Sequence, residues 1–404
     1  MRGLQIILSA AAMFLTLSMQ ANHTWYVSRS AGSNDNDGSR EKPFANIQKA
    51  IDVAAAGDVV QVAEGNYFGL SDNGSIKIDK GITIKGGWSA DFSERNVLIH
   101  RTYIQPTAAS NATALGKGTV IIAVNQAGTC VELDGLIMDR GNTIAYCKPG
   151  EGQPEGVETA MMRPIATAGV GAPGVPETKV YTAETAIIAI QPGTKSDVIV
   201  RNCAFINGPC NGISGSTSAS TVIIDNCIFV NIRMAAVELR GTSAETDSRT
   251  IFTNNTILFA WSRLKDLTDM GYGFRFLPRM ASHLDHNVIG CCTFAGLDSP
   301  ATKEQKPEID CRHSLFFQNR QADLTLPGSG MFRRIAAADF GADNQTVTDP
   351  AIFGGAINAA YLEAFLQLPV AIPSNPPMFA NHYPVEDALR LFGAVSGYGA
   401  QQPK

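Results

Sequence analysis

Short apolar runs, each broken by a polar turn, recur through the middle of the chain. "VIVRNCAFIN" (198–207) is echoed 24 residues later by "VIIDNCIFVN" (222–231). Weaker copies start at Ile251 ("IFTNNTILFA"), Leu284 ("LDHNVIGC") and Asp310 ("DCRHSLFFQN"), and an earlier one at Val131 ("VELDGLIMDRG"). The polar hinge of each copy falls at Gly135, Asn202, Asn226, Asn255, Asn287 and His313. From Asn202 onward the steps run from 24 to 32 residues. A repeat of this length, built from short β-branched runs without a long amphipathic helix, predicts a solenoid. Each copy is one coil of a parallel β-helix, in which equivalent strands stack at about 4.8 Å. Gly and Asn suit the hinge because a tight turn needs a left-handed backbone there. Stacked Asn side chains can also bond from coil to coil.

A third strand lies between the copies: "AIIAIQPG", "NGISGS", "AAVELRG", "YGFRFLPR", "AGLDSP" and "ADLTLPG". Strand residues alternate between the two faces. Aligning these segments by their apolar positions turns Ile188, Ile213, Val237, Phe274, Leu297 and Leu324 inward. The residues that follow, Ala189, Ser214, Glu238, Arg275, Asp298 and Thr325, then form one outward column with neighbours about 5 Å apart. Residues 22–80 read as an N-terminal cap and first coil. The Gly/Pro-rich stretch 141–184 reads as an insertion. Residues 356–404 carry two short helical patterns that either close the far end or pack along the side.

Composition narrows the function. The chain has 404 residues and a net charge of -5, so no basic field exists to hold nucleic acid. With 38 Gly and few charges it favours short strands and turns. Residues 1–21 predict an export signal: Arg2, the apolar "LQIILSAAAMFLTLS", then Met19 and Ala21 at -3 and -1 of a cleavage site. The expected product is a monomer that is secreted, periplasmic or at the cell surface, with no membrane span after cleavage. The eight Cys fit no zinc spacing; Cys203 and Cys210 are close enough to pair, while Cys203 and Cys227 suit buried apolar sites.

The stretch 25–67 carries Tyr26-Val27, Asp37-Gly38-Ser39, Pro43-Phe44, Ile47-Gln48-Lys49-Ala50-Ile51, Gly57-Asp58 and Gly65-Asn66-Tyr67. This series resembles the opening of secreted right-handed parallel β-helix proteins of the pectate-lyase-like superfamily. "SNDNDGSREKPF" (33–44) places Asp residues as a calcium loop does, but its twelfth position is Phe44 where a bidentate Glu belongs. The resemblance implies instead a turn leading into a cap helix, and an all-β fold with carbohydrate-active chemistry. The superfamily holds lyases, hydrolases, esterases, epimerases and non-catalytic surface proteins, so fold does not choose among them. The Asn-Thr-Asp, Asp-Asp, Gly-His-Gly and Arg-Ile-Lys strings of polygalacturonase-type hydrolases are absent, as is the Trp-Ile-Asp-His of one pectate lyase family.

The charged column is then the candidate site. A uronate-cleaving lyase must neutralise the substrate carboxylate, remove the C5 proton and protonate the leaving oxygen. Arg275 or Lys265 is the candidate base. Glu238, Asp298, Asp266 and Asp269 are candidate Ca²⁺ ligands. Arg240, Arg263, Arg279 and Tyr272 are candidate substrate contacts, on a polysaccharide or surface glycan. Two alternatives stand beside β-elimination. One is a non-catalytic glycan-binding or adhesin-like protein. The other is an inverting hydrolase using Glu238 and Asp298, about 9.6 Å apart by stacking. His283, His286 and His313 form a further metal hypothesis.

Overall fold

The computed structural model describes residues 22–68, 75–105, 120–140, 186–208, 210–242, 248–261, 271–300, 308–328, 332–367 and 383–403, with three short strands of the insertion. The predicted leader 1–21 lies outside the described residues. The architecture is an all-β right-handed parallel β-helix: three sheets of nine strands each, nearly all parallel. Each coil contributes one strand to each sheet, as in Asp197–Arg201, Ala204–Ile206 and Ile213–Thr217. In the insertion, Ala145–Cys147, Arg163–Pro164 and Lys179–Tyr181 pair antiparallel in a small sheet of their own.

The core follows from period-two alternation. Val198 and Val200 in one coil, then Val222 and Ile224 in the next, point inward from the first sheet and are fully buried. Phe205 and Phe229 do the same from the second sheet, stacked at 4.5 Å with nearly parallel rings. Ile188, Ile213, Val237, Phe274, Leu297 and Leu324 line the third sheet's inner face in register. Cys203 and Cys227 are buried free thiols in this stack, so Cys203 does not pair with Cys210.

The turn from the first to the second sheet corrects one sequence expectation. Left-handed backbone occurs at Gly135, Asn202, Asn226 and His313 as predicted, but in two coils at Asn254 and His286, not Asn255 and Asn287. Asn255 and Asn287 sit one residue later with buried side chains. Asn255 Oδ1 accepts the Cys227 N–H (2.8 Å) and Asn287 Oδ1 accepts the Asn255 N–H (2.9 Å). They form an inner ladder that satisfies turn amides cut off from water. The outer Asn ladder also exists: Asn226 Nδ2 donates to Asn202 Oδ1 at 2.7 Å.

Residues 33–44 form the latch of the cap. Asp37 Oδ1 accepts from Ser39 N (3.0 Å), closing an Asx turn, and Gly38 takes φ +80. A Cβ on Gly38 would lie 2.3 Å from the Phe44 ring, so Gly is required there. Phe44 is buried in the core. The helix Ile47–Val53, capped by Asn46 Oδ1 on Gln48 N, lays Ile47, Ala50 and Ile51 over the open end of the core. The Gln48 amide pairs with the backbone of Lys77 in both directions (2.8 and 3.1 Å), closing the first edge of the third sheet. At the other edge Arg333–Ile335 runs antiparallel to Ala322–Leu326.

The C-terminal segment packs along the side. The outer face of the second sheet (Ile206, Ile228, Val230, Leu258, Phe317) is fully buried beneath Phe353, Tyr361, Phe365, Tyr383 and Leu389. Phe259 meets Tyr361 at 4.8 Å and Phe365 at 5.7 Å. Asn207 exchanges two hydrogen bonds with the Tyr383 backbone, and Arg101 grips both oxygens of Glu386. Among the described residues no helix is long and apolar enough to cross a membrane.

Candidate functional site

The inward anchors Val237, Phe274, Leu297 and Leu324 fix four successive strands of the third sheet. Alternation then forces the intervening residues outward. Register places Ser214, Glu238, Arg275, Asp298 and Thr325 side by side across five strands. The charged column expected from sequence is present in that order.

Its chemistry is that of a closed network. Arg275 Nε lies 3.0 Å from Asp298 Oδ2, and its Nη1 lies 3.4 Å from Glu238 Oε2. Thr325 Oγ1 donates to the other Asp298 oxygen at 2.8 Å. Asn211 Nδ2 is 3.4 Å from Glu238 Oε2. The Tyr272 ring supports the guanidinium, whose carbon is 4.5 Å from the ring centroid. Burial alone would lower the Arg275 pKa. The charges of Asp298 and Glu238 outweigh it and hold the group above its ordinary value. Burial pushes the Asp298 carboxyl up, against the pull of Arg275 and Thr325.

These contacts bear on several of the expected roles. Arg275 is held as a cation between two carboxylates, the opposite of the lowered pKa expected of a base. Glu238 and Asp298 do not make a Ca²⁺ pocket between them, because the guanidinium occupies the position a cation would take. An inverting hydrolase leaves room between its carboxyls for a water. Here the same guanidinium bridges the two. Tyr272 is buried, edge-on to Phe294 at 5.0 Å, with its ring against the Arg275 guanidinium. Arg263, Lys265, Asp266 and Asp269 lie outside the described residues.

Arg240 and Arg279 do gather at the column. With Glu238, Arg275, Pro278 and Pro300 they line an open depression of about 380 Å³. The Arg240 side chain is 60% exposed, with Nη2 3.6 Å from Glu238 Oε1. Arg279 takes a left-handed φ of 62, and its Nη1 is 3.3 Å from Thr242 O. A Cβ at Gly241 would lie 1.9 Å from Arg279 O, so the glycine lets the two backbones touch. Asn211 and Gly241 escaped the sequence reading. Asn211 lies just before the strand Ile213–Thr217, and Gly241 ends the strand Ala235–Gly241, where a glycine in a strand signals close backbone approach. Of the three histidines, His286 and His313 come together on the first turn, while His283 pairs with Asp310 (2.8 Å).

Residues 30–261 match the family described as "Protein of unknown function (DUF1565)", more than half of the chain. The chain belongs to the DUF1565 family. The DUF1565 match includes Glu238 and Arg240 and ends before Arg275, Arg279 and Asp298. No curated protein matches the sequence. Solved structures similar to it include pectin methylesterase PemA from Erwinia chrysanthemi, 11% identical, covering 81% of this chain and 94% of that one with a TM-score of 0.39. Pectate lyase Pel9A is 10% identical, with 90% and 91% covered and a TM-score of 0.36. XylC in complex with xylose is 13% identical over 74% of this chain, with a TM-score of 0.37; the chain spans 63% of XylC. At these identities the likeness concerns fold and does not carry a substrate.

Proposed function

We propose that this is an exported β-helix protein that binds an anionic, uronate-containing polysaccharide along its third sheet. The observation that carries the reading is the depression lined by Arg240, Arg275 and Arg279 in a chain whose net charge is -5. Guanidinium groups match the planar carboxylate of a uronate with paired N–H donors. Arg240 is exposed enough to reach a ligand, and Arg275 is pre-organised by Tyr272 and Asp298. An open depression on a flat sheet suits an extended polymer better than a small molecule, which needs a deeper cleft.

Cleavage is a separate question with the same assay. Because Arg275 is held charged, a base for β-elimination would have to come from elsewhere, with Lys265 the remaining candidate. Calcium would enter through Asp266 and Asp269. Purified protein is run through gels containing pectate, alginate, a glycosaminoglycan or a neutral glucan, and unsaturated product is followed by absorbance with and without EDTA. The expected result is retardation by at least one uronate polymer, lost at high salt and in Arg240→Ala with Arg279→Ala. Equal retardation by the neutral glucan, or none by any uronate polymer, sinks the reading.

A further inference from the structure

The turn between the first and second sheets changes its chemistry in the last coils. In earlier coils the left-handed position is Gly135, Asn202, Asn226 and then Asn254. In the next two coils it is His286 (φ 54) and His313 (φ 42). Asn tolerates this backbone well and His less readily, so turn geometry alone gives no reason for the exchange. What the exchange does is bring two imidazoles onto one carboxylate. The rings stack with centroids 4.9 Å apart. His286 Nδ1 lies 3.0 Å and His313 Nδ1 2.9 Å from the same oxygen, Asp285 Oδ1. Asp285 is the last residue of its first-sheet strand, fixed by the buried Leu284 beside it.

We propose that Asp285, His286 and His313 form a Zn²⁺ site on this turn, independent of the polysaccharide depression on the third sheet. The three ligand atoms lie within 4.8 Å of one another. A tetrahedral zinc ion with bonds of ~2.0 Å separates its ligand atoms by about 3.3 Å; the two imidazole–carboxylate distances, 3.0 and 2.9 Å, are already near that, and rotation of the half-exposed rings would bring the imidazole nitrogens together. Two imidazoles and a carboxylate are a zinc donor set, whereas calcium prefers oxygen throughout. A second observation supports metal. His313 Nε2 lies 3.5 Å from Asp343 Oδ2, the outer carboxylate that commonly orients a ligating histidine through its other nitrogen. Partial exposure of both imidazoles leaves a fourth position for water.

The C-terminal segment is tied to the same turn. Gly399 N donates to His286 O at 2.8 Å, and the Tyr398 ring centroid is 6.3 Å from that of His286. Zinc held there would fasten two coils and the end of this segment together, which gives a readout that needs no enzymatic activity.

The test is titration of the EDTA-treated, dialysed full chain with ZnCl₂ by calorimetry, alongside His286→Asn, His313→Asn and the double variant. Asn is the residue that earlier coils use at this position, so the variants keep the turn. The expected result is one zinc per wild-type chain, at least 100-fold weaker binding in the double variant, and about 10-fold weaker binding in Asp343→Asn. Zinc should raise the wild-type Tm by a few degrees, about as mass action predicts, and leave the double variant unmoved. Co²⁺ should give the intense visible absorption of a tetrahedral site in wild type alone. Absence of saturable 1:1 binding overturns the proposal. So does binding that survives in the double variant, since it would then belong to other donors such as the exposed Cys130.

Discussion

The outer faces of the second and third sheets share one geometry and have opposite fates. On the second sheet the outward positions read Ile206, Val230, Leu258 and Phe317, and the C-terminal segment covers them completely. On the third they read Ala189, Ser214, Glu238, Arg275, Asp298 and Thr325, and the face opens into the arginine-lined depression. The inward residues of both sheets are equally apolar. Inward residues therefore specify that a coil forms. The outward ones decide whether a face is roofed or left open.

The comparison is broken most severely from the roofed side. Phe365 is fully buried against Phe259 and Trp261. Phe365→Ala should cost about 3–5 kcal/mol, read by urea unfolding. Hydrogen exchange should show residues 383–403 losing protection before the coils do.

Arg275→Met is the matching test on the open side. It strands Glu238 and the buried Asp298 without their cation. The expected loss is about 1–3 kcal/mol, and pectate retardation disappears with it. Adding Asp298→Asn should recover most of the stability and none of the binding, because it removes the stranded charge without restoring a guanidinium. If the double variant stays as unstable as Arg275→Met, the network is not what holds these strands.

Titration of Asp298 sharpens the contrast further. Its folded pKa is raised, chiefly by burial. A raised carboxyl contributes stability that is fully present below the unfolded value near 3.8 and lost as pH rises through the folded one. The stability of wild type relative to Asp298→Asn should therefore fall across that window and be flat below it. A difference that rises with pH would mean that Arg275 dominates burial. The smallest effect belongs to Arg240→Ala. Its side chain is 60% exposed, so stability should stay within about 0.5 kcal/mol, while polymer retardation weakens and its salt dependence becomes shallower.

Much of this layout is legible in the sequence, and the failures have physical causes. The column Glu238, Arg275, Asp298 could be aligned because Val237, Phe274 and Leu297 allow only one register. The turn slipped by one residue at "NN" (254–255) and "HN" (286–287), where two neighbours both suit a hinge. The residue after the left-handed position points inward, and Cys203, Cys227, Asn255 and Asn287 all fill that place. Aligning by Asn identity joined two different ladders. The roof was announced without being read: "CAFIN", "CIFVN" and "TILFAW" are continuous apolar runs, the mark of strands covered on both faces. Ion pairing within the column was partly accessible, since alternating Glu-Arg-Asp on neighbouring strands is what cross-strand pairing prefers. Residue order shows that Arg275 lies between two acids, but only side-chain geometry shows the guanidinium engaging both.

The two ends of the third sheet have a consequence for solution behaviour. A stack of parallel strands is a template, and an unpaired edge invites another chain to continue it. At one end the side-chain amide of Gln48 stands in for a strand's backbone, occupying both the N–H and the C=O of Lys77. At the other, Arg333–Ile335 reverses direction and sets two arginines along the margin. Parallel stacking of a second copy on the third sheet would have to displace an amide at one end and would meet a reversed, arginine-bearing strand at the other.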